Sequence, residues 1–115
     1  MSVGSSSVQE ISFFQLDNLV RNRIPFVLLS LGVDISGFYD EVVYQNHLIS
    51  QTISTTRESI LKDLSSKNVL SESAVILVCP RGDLSIRLKA TLEQQGYRNV
   101  YLVRNGFAGL LKDRP

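Results

Sequence analysis

Cys79 follows the apolar run Ala74-Val75-Ile76-Leu77-Val78 and opens the loop Pro80-Arg81-Gly82-Asp83-Leu84, after which Ser85 begins a helical pattern. A side chain in that place feels three things together: the end of a buried strand, the N–H groups of a tight loop, and the positive end of a helix. An anion placed there is stabilised, so Cys79 is expected to act as a nucleophile near neutral pH. Gly82 gives the loop freedom to take positive φ or to bring its backbone close to a substrate. Arg81 offers a delocalised cation to an incoming oxyanion. Ser85 reads as the N-cap of the helix, with its hydroxyl also turned to the anion. By itself a lone cysteine behind an apolar strand is usually an inert core residue. The loop with its glycine and the helix that follows favour the reactive reading. Arg81-Gly82-Asp83 is also a tripeptide that adhesion proteins display, but three common residue types coincide easily, and the loop accounts better for Gly82.

Those residues need elements to position them. Phe13, Leu16, Leu19 and Val20 form the stripe of an amphipathic helix with Ser12 as its N-cap, ended by Pro25. Phe26 to Leu31 is a short unbroken apolar run and reads as a strand buried on both faces. Beyond it the pattern weakens: Gly37 marks a turn, Phe38 to Tyr44 a short helix, and Leu48-Ile49 with Ile53 a short strand. Ile60, Leu61 and Leu64 suit a helix between Thr55 and Leu70, with Thr55 or Thr56 before Glu58 as a capping signal. Ala74 to Val78 is the clearest strand. A helix carrying Ile86, Leu88 and Leu92 then runs from Ser85 to the stop at Gly96. Asn99 to Val103 is the last strand, and Asn105-Gly106 turns into a final helix through Phe107, Leu110 and Leu111. This alternation predicts an α/β fold, a central parallel sheet with helices on both faces, whose sites lie outside the carboxyl ends of the strands.

The chain has 115 residues, of which 43% are hydrophobic and 20% charged, with a net charge of +1. That length supports one domain able to bury a core without staples. Ser2, Gly4, Ser5, Ser6 and Ser7 make residues 1–9 a short polar tail that buries too little to order itself, which leaves 10–115 as the domain. The near-neutral charge argues against nucleic acid or an anionic membrane as the main partner. From Glu58 onward nine basic residues face six acidic ones, a mild excess that a solvated surface explains. A single cysteine excludes an internal disulfide and a cysteine-rich zinc site, and points to a reducing compartment. With no membrane-length apolar run and no signal-like start, a soluble cytoplasmic protein is expected.

Ala74 to Leu111, with Val75-Ile76-Leu77-Val78-Cys79, the loop to Ser85, Gly96-Tyr97-Arg98-Asn99-Val100-Tyr101 and Asn105-Gly106-Phe107, closely resembles the C-terminal half of a single-domain rhodanese. In the N-terminal half the match is fainter, carried by Ile11-Ser12 through Leu19, Leu28-Leu29-Ser30 and Asn46-His47-Leu48. The resemblance implies a rhodanese-like fold in which Cys79 accepts a sulfane sulfur as a persulfide, inside a six-residue loop that maps onto Cys79 to Leu84. It implies that Cys79 is catalytic, that Pro80, Arg81, Gly82, Asp83, Leu84 and Ser85 bind substrate, and that no metal or organic cofactor is required. The donor would be thiosulfate or a persulfide, the acceptor cyanide or a thiol, with a sulfur-trafficking protein as a further partner. His47 would be a structural hydrogen-bonding residue.

Six departures stand out. Ser30-Leu31-Gly32 replaces the family's usual Asp-x-Arg, and Leu48-Ile49-Ser50-Gln51 lacks the expected Pro, Gly and Ala. Asn105 replaces the first glycine of the closing motif, and Leu110 falls near its usual tryptophan. Pro80 also removes one N–H from the cradle, and Asp83 partly cancels Arg81. These changes motivate an alternative, a catalytically weak or inactive rhodanese-like module that binds, regulates or carries sulfur. A phosphatase reading ranks last, because it needs an arginine six positions after the cysteine, where this chain has Ser85.

Overall fold

The structure, a computed structural model, describes residues 9–114. The elements in order are β1 (Glu10–Ile11), α1 (Phe13–Arg21), β2 (Val27–Leu31), α2 (Val42–Ser50), β3 (Thr52–Thr55), α3 (Ile60–Ser66), β4 (Ala74–Val78), α4 (Asp83–Gln94), β5 (Asn99–Val103) and α5 (Gly106–Asp113). Most of the expected tail lies outside the described residues. Its last residue, Gln9, does not behave as tail: its carbonyl accepts the Leu102 N–H at 2.8 Å and so extends the pairing of β1 with β5.

The five strands form one sheet in the order β1-β5-β4-β2-β3, with every pair parallel. Register aligns Ile53, Leu29, Leu77 and Leu102 across the middle of four strands. Alternation along each strand then sorts the side chains between two layers. Leu28, Ile76, Val78 and Val103 meet Phe13, Leu16 and Val20 of α1, Leu48 of α2 and Leu110 of α5. On the other face, Leu29, Val75, Leu77, Val100 and Leu102 meet Ile60 and Leu64 of α3 and Leu88 and Leu92 of α4. The expected parallel sheet with helices on both faces is what forms.

Ser12 is the N-cap of α1 as predicted, and its N–H donates to Gln15 Oε1 at 2.7 Å. The weakly patterned middle differs from expectation. The helix expected over Phe38 to Tyr44 begins only at Val42, so Phe38 to Glu41 stay outside it, and it runs on as α2 to Ser50, taking in Leu48 and Ile49, which were expected in a strand. The reason is packing. Phe38 and Tyr39 are buried ahead of the helix, while α2 leaves Val42, Val43 and Ile49 exposed, so its sequence carries no amphipathic stripe. Ile53 does lie in a strand, β3. Thr55 ends that strand, so α3 begins later than expected, behind Ser59, whose N–H donates to Thr56 Oγ1.

Strand order reverses between β4 and β2. From β4 the chain moves outward to β5 through α4 on one face; from β2 it moves the opposite way to β3 through α2 on the other face. Parallel sheets open a crevice at such a switch point, at the carboxyl ends of the strands. Cys79 directly follows β4 there.

Candidate functional site

Cys79 continues the alternation of Val75 and Leu77, so its thiol lies on the layer of α3 and α4. It has no exposed surface, 0%. Its sulfur accepts one hydrogen bond, from the Gly82 N–H at 3.1 Å. Gly82 is the N-cap of α4 and holds φ at 96°, a left-handed conformation that glycine adopts without strain. Pro80 has no N–H to offer, and among the described residues Gly82 alone donates to the sulfur.

The remaining predicted residues are distributed around this bond. Pro80 and Arg81 are exposed in the loop, and Asp83 is the exposed first residue of α4. Leu84 is half-buried against the layer that contains Cys79. Ser85 is not the N-cap: the helix starts two residues earlier, which puts Ser85 in its first turn on the inward stripe shared with Leu88 and Leu92. The earlier start follows from Gly82, whose conformation lets the chain enter the helix directly. Ser85 is 0% exposed, and its Oγ is, among the described residues, the one buried side-chain polar atom with no hydrogen-bond partner. An unpaired hydroxyl removed from water is costly, and here it faces the layer of Cys79 from the helix that the loop feeds.

A second loop completes the site. After β5, Asn105 and Gly106 both take left-handed conformations. The Phe107 N–H then donates to the Cys79 carbonyl at 2.8 Å, and the Ala108 N–H to the Pro80 carbonyl at 3.1 Å. The first turn of α5 thus spends its free donors on the cysteine loop. Contact is so close that a Cβ on Gly106 would lie 2.3 Å from the Cys79 carbonyl oxygen and 2.6 Å from the Gly82 nitrogen. Asn105-Gly106 reads as a turn in sequence; its place at the carboxyl end of the strand beside β4 is the signal that marks it as part of the site.

His47 lies elsewhere. It sits in the last turn of α2, which leads to the start of β3 and hence to the amino ends of the strands, opposite the carboxyl ends where Cys79 lies. Its Nε2 is 3.3 Å from the Ile24 carbonyl, and its ring meets Phe26 edge-on. At the position of the missing Asp-x-Arg, Ser30 is buried and its hydroxyl donates to the Val33 carbonyl at 2.7 Å, holding the turn after β2.

Two cavities flank the cysteine loop. One, of 310 Å³, is bounded by Leu31, Thr55, Arg57, Glu58 and Leu84; the other, of 230 Å³, by Arg81, Gly82, Asp83, Ile86 and Asn105. Among the described residues no group of three His, Cys, Asp or Glu side chains is placed to hold a metal ion, and no helix is long and apolar enough to cross a membrane. Comparison with models of known protein families and with curated proteins finds no match.

Proposed function

We propose that the chain is a rhodanese-like sulfurtransferase that carries a sulfane sulfur on Cys79. The observation that supports this most is the hydrogen bond from the Gly82 N–H to Cys79 Sγ at the N-terminus of α4, at the switch point of a parallel sheet. A donor and a helix N-terminus aimed at sulfur stabilise charge on it, which both the attacking thiolate and a bound persulfide require. In the forward step the Cys79 thiolate attacks the outer sulfur of thiosulfate or of a persulfide. The bond between that sulfur and the donor breaks, and its electron pair leaves with sulfite or a thiolate. A thiol or cyanide then takes the outer sulfur from Cys79. The unpaired Ser85 hydroxyl provides a second donor for this sulfur, and Arg81 an attractive charge for the donor anion.

A second reading has its own support. Complete burial of Cys79 and a cradle of one N–H suit a module that holds sulfur, or binds a partner, without rapid turnover. Intact mass before and after thiosulfate, with Cys79→Ser alongside and cyanide as the discharging nucleophile, separates the two. A gain of one sulfur atom that needs Cys79 and disappears repeatedly with cyanide is expected. Sulfur that loads and stays favours the carrier. No gain from thiosulfate or from a persulfide, in protein whose Cys79 still reacts with iodoacetamide, rejects sulfur transfer.

A further inference from the structure

The 230 Å³ cavity beside the loop carries two opposite charges without partners. Arg81 and Asp83 both line it and are both exposed, yet neither forms an ion pair with the other or with any other described residue. Glu10, which also lines the cavity, lies 3.6 Å from Arg104 and is neutralised by it. Asp83 gains from its place at the start of α4. Arg81 brings an unpaired guanidinium to the same cavity. An anion with two negative ends would gain at Arg81 and lose at Asp83, whereas a molecule bearing one carboxylate and one ammonium gains at both. The volume is below the roughly 300–1,000 Å³ of sites for drug-sized ligands, so the occupant is small. Ile86, 57% exposed and lining the same cavity, offers an apolar surface to its carbon chain. Gly82 ties the cavity to the chemistry, since it lines the cavity and its N–H reaches Cys79 Sγ.

We propose that this cavity selects the persulfide of a small zwitterionic amino-acid thiol, of the cysteine class, as the sulfur donor, with its carboxylate on Arg81 and its ammonium on Asp83. This inference rests on the sulfur-transfer reading of Cys79. The Cys79 thiolate attacks the outer sulfur of the donor; as the new S–S bond forms, the donor's own S–S bond breaks and its electron pair leaves on the amino-acid sulfur, which takes a proton from water. One S–S bond replaces another, so no oxidant or reductant is consumed. Because Cys79 is fully buried, segment 80–82 must give way for the sulfur to pass.

The test measures the rate at which Cys79 gains one sulfur, by intact mass, from three donors: cysteine persulfide, the persulfide of 3-mercaptopropionate, which lacks the ammonium, and thiosulfate. Wild-type protein should load fastest from cysteine persulfide. Asp83→Asn should slow that donor about tenfold, as expected for one lost charged hydrogen bond, while speeding thiosulfate. Arg81→Gln should slow all three. Opposite responses to Asp83→Asn are something a merely structural residue would not give, and circular dichroism checks that each variant is folded. Equal wild-type rates from cysteine and 3-mercaptopropionate persulfides, or equal slowing of every donor by Asp83→Asn, would overturn the zwitterion assignment and leave sulfur transfer standing. Absence of loading from any donor would overturn both.

Discussion

Ser85 separates two things a buried polar group can do. Its hydroxyl has left water and found no partner, an arrangement that costs on the order of 1–3 kcal/mol when nothing compensates it. Replacement by alanine removes the group and leaves a small void, so Ser85→Ala is expected to be neutral or to stabilise the fold by about 1 kcal/mol, raising the midpoint of thermal unfolding by a few degrees. In the sulfur-transfer reading the same hydroxyl is the donor that meets the second sulfur on Cys79. The variant should therefore be at least as stable as wild type and hold its persulfide for a shorter time. Thermal unfolding paired with the decay of the loaded mass reads both effects. A persulfide lifetime unchanged by the substitution would make Ser85 structural alone.

At the scale of elements, the site is two loops locked together, and the lock is Gly106. A methyl group there would meet the Cys79 carbonyl, the Gly82 nitrogen and the Arg81 carbonyl carbon, all within 2.8 Å, at a φ of 63° that alanine resists. Overpacking and left-handed strain add, so Gly106→Ala should cost about 2–4 kcal/mol in urea unfolding and should slow sulfur loading as well. A variant with wild-type stability would show that the second loop yields freely. How much of this was legible in sequence depended on pattern. Ala74 to Val78 and Val100 to Val103 are largely buried and read as unbroken apolar runs, and α1 displays its stripe through Phe13, Leu16 and Val20. For α2 the sequence is silent, because Val42, Val43 and Ile49 face outward and erase the periodicity. At the site, the cysteine and its loop follow from local order along the chain. The place of Ser85 is hidden because one glycine shifts the helix start by two residues, and the Gly106 contact depends on which strands become neighbours, a property of the sheet rather than of any segment.

Across the whole molecule, the long connection from β2 to α2 is what joins the helices of one layer. Tyr39 donates its hydroxyl to Asp17 Oδ1 of α1 at 2.7 Å and its N–H to Gln45 Oε1 of α2 at 2.7 Å. Phe38 beside it packs on Phe13 and Phe107, and its carbonyl accepts Arg114 Nη1 at 3.0 Å. Three helices, of which α1 packs directly on both α2 and α5, are thus joined further through two adjacent aromatic residues. Burial, and then the hydrogen bond to Asp17, push the ionisation of Tyr39 well above the ordinary tyrosine range. A folded-state value raised above the unfolded one means that the stabilisation is fully present below about pH 10, the unfolded value, and is lost as pH climbs toward the folded one. The midpoint of unfolding should therefore fall as pH rises beyond about 10, while Tyr39→Phe, less stable at neutral pH for want of the Asp17 bond, should fall less steeply over the same interval. Parallel decline of the two proteins would place the alkaline limit elsewhere. Convergence of their curves would identify one phenol as the group through which this layer senses pH.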